Sequence, residues 1–101
     1  MHYAQMSNGG ILGKMYTLPN FNSAFAKVLR SRRVEARISQ MKLASAIGGS
    51  ETYVRRMERE KQTPTTTTLI LLARALGMEP EKFFSEIMQQ LAFLDAQQEK
   101  H

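Results

Sequence analysis

The chain has 101 residues, 43% of them hydrophobic, which suffices for one domain with a single modest core. It contains no Cys, which excludes disulfides and thiolate metal sites and makes the cytoplasm the expected compartment. The longest apolar run, Leu69 to Ala73, is far too short to cross a membrane, so no membrane partner is expected.

The net charge of +5 is distributed unevenly along the chain. Residues 20–77 contain eleven Lys or Arg and four Glu, whereas residues 78–101 contain two Lys and five acidic residues. A concentrated basic region is typical of a phosphate-binding surface, although a solvated helical surface has a similar composition.

The chain is predicted to begin with a flexible arm, residues 1–20, because its apolar residues are scattered among three Gly without a period. Five helical segments follow. The first is predicted from about Ser23 to Glu35, with Asn22 or Ser23 as its N-cap.

The second and third segments are joined by a very short connection. The second begins at the capping residue Ser39 and stops at Gly48-Gly49, and the third runs from the next cap, Ser50, to about Glu60. Three or four residues cannot span an antiparallel return, and Ala44 is small where the two helices would touch. The pair is therefore predicted to be a helix-turn-helix.

The third segment has two distinct sides at about 100° per residue. Tyr53, Val54 and Met57 form an apolar side. The opposite side carries Glu51, Thr52, Arg55, Arg56 and Arg59. Arg bonds guanine bidentately, Glu accepts from cytosine and Thr contacts the thymine methyl, so this side is a candidate reader of double-stranded DNA in the major groove. The alternative is a solvated face with a Glu51–Arg55 pair four residues apart.

The last two segments are separated by a glycine. The fourth follows Thr63-Pro64 with a threonine cap and ends at Gly77. The fifth opens at Glu79-Pro80, where proline is tolerated at a first helical position, and continues to about Asp95.

An apolar stripe runs along the fifth segment. Its residues are Phe84, Ile87, Met88, Leu91 and Leu94, whereas Phe83 is assigned to the domain's own core. The stripe either packs on the first and fourth helices of its own chain or forms the two-fold interface of a homodimer. We favour the homodimer interface, because a protein that reads paired half-sites needs two copies.

Spacing and residue type along residues 25–84 agree with one pattern. The residues that carry it are Leu29, Arg33, Ile38-Ser39-Gln40, Leu43-Ala44, Gly48, Ser50, Val54, Met57-Glu58, Lys61, Pro64, Thr68-Leu69, Ala73, Ala75-Leu76-Gly77 and Phe83-Phe84. In these the chain resembles the Cro/CI-type helix-turn-helix regulators, also called the xenobiotic-response-element family. The resemblance implies an all-α, five-helix lambda-repressor-like DNA-binding domain.

The resemblance also implies residue roles. Residues at or near base edges would be Ser50, Glu51, Thr52, Arg55 and Arg56, and residues on the DNA phosphates would be Gln40, Arg59, Lys61 and Gln62. Arg33 and Glu58 would form a buried structural ion pair. The chain departs from the family at Arg37 and Glu60, where Gly is frequent, and at Gly49, where an apolar residue is usual.

The sequence thus predicts a DNA-binding unit at residues 21–84 and a dimerisation element at residues 85–101. The function expected is a sequence-specific regulator, a repressor or restriction–modification controller on a palindromic operator. The alternative is an antitoxin that grips a toxin through Leu91 to His101 and controls its own promoter. His2 and His101 have no metal-spaced partner, and no catalytic set or phosphate-binding glycine loop occurs, so no enzyme activity, cofactor or metal is expected.

Overall fold

A computed structural model describes residues 18–99, which form five α-helices and no strand. They are α1 (Phe21–Glu35), α2 (Gln40–Ala46), α3 (Glu51–Glu58), α4 (Thr66–Ala75) and α5 (Pro80–Glu99). The predicted all-α, five-helix architecture is confirmed. Most of the predicted arm, its first 17 residues, lies outside the described residues.

The predicted helix starts rest on hydroxyl caps. Ser39 accepts a hydrogen bond from the Lys42 N–H at 3.0 Å and Ser50 accepts one from the Tyr53 N–H at 3.1 Å. Thr65 caps α4 in the same way through the Thr68 N–H. Each bond satisfies an amide that the helix itself leaves without a partner, which is why these residues begin helices.

The start of α1 differs from the prediction. The helix begins at Phe21, and its N-cap is Asn20, in a left-handed conformation with φ 73° and no capping bond from its side chain. The Asn20 amide instead donates to Asp95 at 2.9 Å and to Gln98 at 2.7 Å. The side chain ties the start of α1 to the end of α5, which continues to Glu99, four residues beyond the predicted end.

All five helices contribute to one core, and α1 makes its most extensive contacts with α5 and α3. Its largest fully buried side chains are Phe25, Leu29, Leu43, Val54, Met57, Leu72, Phe83 and Ile87. Burying each of these contributes about 1.5–3 kcal/mol of hydrophobic free energy. Helices α1 and α5 are antiparallel, because Arg32 near the end of α1 pairs with Glu86 near the start of α5.

The predicted dimer stripe is largely covered within the single chain. Ile87 is 0% exposed and Leu91 is 8% exposed, and both belong to the core. Met88 and Leu94 are partly buried against that core. The prediction that Ile87 and Leu91 form a dimer interface is therefore wrong, since α5 turns them onto its own chain. Phe84 differs from the others and is 46% exposed.

The length and apolar character that a bilayer span requires are combined in none of the helices between residues 18 and 99.

Candidate nucleic-acid interface

The turn between α2 and α3 is fixed by backbone bonds around two glycines. Gly48 has a left-handed φ of 73°, and its N–H donates to the Ser45 carbonyl at 3.2 Å. The Gly49 N–H donates to the Ala44 carbonyl at 2.9 Å. This pair of bonds is a Schellman motif, which ends α2 and leads directly to the cap of α3. The predicted helix-turn-helix is present.

Helix α3 has the two sides that its sequence predicts. Val54 and Met57 are fully buried, and Tyr53 is half-buried with its hydroxyl donating to Thr68 Oγ1 on α4 at 3.3 Å. Thr52, Arg56 and Arg59 are exposed on the other side, and Glu51 and Arg55 are half-buried there. Because the apolar side of α3 packs on the rest of the domain, the basic side of α3 faces solvent.

Three of the candidate base-reading residues make contacts near the start of α3. Ser50 uses its hydroxyl oxygen as the cap of α3. Arg55 reaches back one turn to Glu51, at 3.3 Å between Nη2 and Oε2, as the solvated-face alternative envisages. Both partners are more than a third exposed, so this contact is weak and costs little to open.

Arg56 behaves differently from Arg55. Its Nη2 donates to the Lys61 carbonyl at 3.0 Å, and its Nε donates to Gln62 Oε1 at 3.5 Å. The guanidinium thus lies on the loop after α3. Sequence reasoning missed this contact, because the direction of a long side chain is not encoded in its position on a helical wheel.

The candidate phosphate-binding residues gather around the end of α3. Gln40, the first residue of α2, donates from Nε2 to Glu58 Oε1 at 3.0 Å. Arg59 and Lys61 are exposed in the loop, and Gln62 accepts from Arg56. Four residues from two segments are therefore brought to one end of α3.

An ion pair ties this end of α3 to α1. Arg33 Nε lies 2.5 Å from Glu58 Oε2, and Arg33 Nη2 lies 3.0 Å from Glu58 Oε1. The side chains are only 12% and 2% exposed. Arg33 also donates to the Ile38 carbonyl at 2.8 Å, and its bonds with Glu58 raise the pKa of its guanidinium. The pair is buried, as the family resemblance implies, and its contact is bidentate.

Besides Asn20, two non-glycine residues occupy left-handed positions, at the places where the family resemblance led us to expect glycine. Arg37 has φ 59° and Glu60 has φ 64°. Each follows a helix end whose amides bond in the Schellman pattern, for example Lys61 N–H to the Arg56 carbonyl at 2.8 Å. The turns are therefore kept, and each residue bears a conformational cost of about 1–2 kcal/mol.

Another ion pair, which the sequence did not predict, joins α1 to α5. Arg32 Nε donates to Glu86 Oε1 at 2.8 Å, and a further Arg32 nitrogen bonds the other carboxylate oxygen. The Arg32 guanidinium lowers the pKa of Glu86 below its ordinary value. Partners this distant in sequence give no local signal, since their meeting depends on how α1 and α5 cross.

No group of three or more acidic, His or Cys side chains suited to a metal ion occurs between residues 18 and 99.

Comparison with known proteins gives two matches. The family model described as Helix-turn-helix matches residues 29–83. A solved structure, the clp gene regulator ClgR from Corynebacterium glutamicum, is 26% identical with a TM-score of 0.72, covering 80% of this chain and 86% of that one. No curated protein matches.

Proposed function

The chain belongs to the Cro/CI-type helix-turn-helix family of DNA-binding proteins, and from this we propose that it regulates transcription by sequence-specific operator binding. The observation that carries the proposal is the exposed, basic side of α3, the second helix of a helix-turn-helix whose turn lies at Gly48. The likeness to a protein titled as a gene regulator supports the same role.

Base recognition falls to the first turns of α3. Ser50, Glu51, Thr52 and Arg55 lie at the helix end that enters the major groove in proteins of this architecture. Arg55 and Glu51 are suited to the two bases of one G·C pair, because Arg donates to guanine and Glu accepts from the cytosine amino group. Their exposed mutual contact opens at little cost when they meet the bases.

Phosphate binding falls to the cluster at the other end of α3. Arg59 and Lys61 supply charge, and the amides of Gln40 and Gln62 supply hydrogen bonds to phosphate oxygens. These contacts fix the register of α3 on the duplex, and they make binding depend on salt.

Selection of bound sequences from a random duplex pool tests the proposal. We expect a recovered palindrome for the wild-type chain. On that operator, Arg55→Ala should cost about 1–3 kcal/mol and relax the preference at one base pair. Lys61→Ala should weaken binding to every sequence and reduce the salt slope by about one unit. Recovery of no preferred sequence, or identical effects of both substitutions on operator and random DNA, would contradict sequence-specific reading.

The operator is bound by a homodimer whose contact lies on the exposed side of α4 and α5. A small apolar groove there is lined by Thr66, Leu69, Ile70, Pro80, Glu81, Phe83 and Phe84. Phe84 is the large hydrophobic side chain of this groove that is exposed, at 46%. A two-fold axis through this face would present two recognition helices to half-sites about 34–36 Å apart.

Sedimentation with Phe84→Asp tests this contact, because it charges the groove without entering the core. We expect a folded monomer that keeps its helical signal and loses most of its affinity for a two-half-site operator. A wild-type chain that sediments as a monomer at tens of micromolar, yet binds its palindrome tightly, would refute the dimer.

Repression by occupying the operator is the simplest outcome of such binding. A reporter gene placed under the selected operator measures whether the protein lowers or raises transcription. A restriction–modification controller is a variant of the same role, which the neighbouring genes would identify. The antitoxin alternative gains no support from α5, because Leu91 is buried on its own chain and Asp95 is bonded to Asn20.

A further inference from the structure

We propose that Arg56 is a positioning residue that holds the loop after α3 in its DNA-contacting shape, and that it does not read bases. The inference rests on the proposed function, because it assigns the loop to phosphate. It is carried by the bonds that Arg56 makes in the DNA-free protein.

Arg56 and Lys61 are joined in both directions. The Lys61 N–H donates to the Arg56 carbonyl at 2.8 Å, and the Arg56 Nη2 donates to the Lys61 carbonyl at 3.0 Å. The Arg56 Nε also reaches the Gln62 side-chain oxygen at 3.5 Å. One arginine on α3 therefore fixes both the backbone and a side chain of the following loop.

The loop needs such a contact because Glu60 is left-handed, with φ 64°. A non-glycine residue disfavours this conformation by about five- to thirtyfold relative to the right-handed one. The guanidinium bond to the Lys61 carbonyl is available only while the turn is closed, so it opposes the tendency of Glu60 to open it.

The two neighbouring arginines of α3 point to opposite ends of the helix. Arg55 reaches back to Glu51, the first residue of α3, whereas Arg56 reaches forward to Lys61 beyond its last residue. A guanidinium engaged with the loop is directed away from the helix start, where bases are read. Because the loop is ordered before DNA arrives, binding does not bear the cost of ordering it.

Binding to the selected operator, its single-base variants and a random duplex tests the assignment, with Arg55→Ala as the matched control. We expect Arg56→Ala to weaken binding to all of these duplexes by a similar factor, about five- to tenfold for one lost hydrogen bond and its charge. Arg55→Ala should chiefly weaken binding to the operator and affect binding to the random duplex less. A loss for Arg56→Ala that is confined to one base pair would overturn the proposal and make Arg56 a base reader.

A rescue experiment separates positioning from direct phosphate contact. Arg56→Ala is measured in a Glu60→Gly background, which removes the strain and the charge, and in a Glu60→Gln background, which removes only the charge. The loss should be at least about threefold smaller in the glycine background, because glycine holds the left-handed turn unaided. Equal losses in both backgrounds would overturn the proposal, since a direct contact to phosphate does not depend on how the turn is held.

The Glu60→Gly and Glu60→Gln variants, each with and without Arg56→Ala, are also unfolded in urea without DNA. Arg56→Ala should lower the midpoint more in the Glu60→Gln background than in the Glu60→Gly background, and equal shifts would overturn the proposed role. If the wild-type chain selects no DNA sequence, the proposed function fails, while this DNA-free comparison still decides whether Arg56 holds the turn.

Discussion

Breaking the ion pair between α1 and α3 should cost a large part of the stability of the domain. In Arg33→Met the Glu58 carboxylate, 2% exposed, keeps only the Gln40 amide as a hydrogen-bond partner. In Glu58→Gln the guanidinium of Arg33, 12% exposed, loses its counter-charge. Removing one member of a buried pair costs about 3–5 kcal/mol, because the other charge stays buried without compensation.

This loss is large beside the free energy of unfolding expected for a domain of about 80 residues, about 4–12 kcal/mol. It corresponds to a fall in Tm of about 12–40 °C for a domain of this size. Urea unfolding followed by circular dichroism at low temperature keeps both variants measurable, and the midpoint shift at constant slope gives the change in free energy.

The exposed pair on α3 supplies the matched control. Arg55→Met breaks the contact with Glu51 and should cost no more than about 0.5 kcal/mol, because both side chains remain solvated. A double variant with apolar residues in place of both Arg33 and Glu58 should be more stable than either single variant, since no lone charge is left. Losses below about 1 kcal/mol in both single variants would refute the reasoning, as would a double variant whose loss equals the sum of the two.

Three further outcomes are expected. Ile87→Asp should abolish the cooperative unfolding transition, because it puts a charge in a fully buried site. Phe84→Asp, on the exposed side of the same helix, should stay folded. If both variants fold, the burial of Ile87 is contradicted. Arg37→Gly should raise the free energy of unfolding by about 0.5–1 kcal/mol at unchanged urea slope, since glycine holds φ 59° without strain, and a loss would argue against the left-handed turn. Glu86→Gln should lower Tm at neutral pH because it breaks the ion pair with Arg32. The Tm difference from wild type should shrink as the pH falls from the ordinary glutamate pKa of about 4.3 through the lowered pKa of the folded protein. A Tm difference that does not change with pH would show that this ion pair is not its cause.

The local features of the helix-turn-helix could be predicted from the sequence. Ser39, Ser50 and Thr65 each bond an amide three residues ahead, so the signal and its consequence lie within one turn of helix. The ends at Gly48 and Gly77 follow from the one residue type that adopts positive φ freely. The two sides of α3 follow from helical periodicity, which needs no knowledge of the neighbouring helices.

Other features depended on the tertiary structure. The apolar stripe of α5 has the same sequence pattern whether its own chain or a second copy covers it, and only the antiparallel crossing with α1 places Ile87 and Leu91 in the core. The same crossing brings the N-cap Asn20 to Asp95, and its side chain bonds that residue instead of an amide of α1. Arg56 reaches the loop after α3 because a long side chain has many rotamers, and the loop's backbone selects one of them. Periodicity and capping act within a turn of one helix, whereas the partner of a helix face or of a long side chain is set by elements distant in sequence.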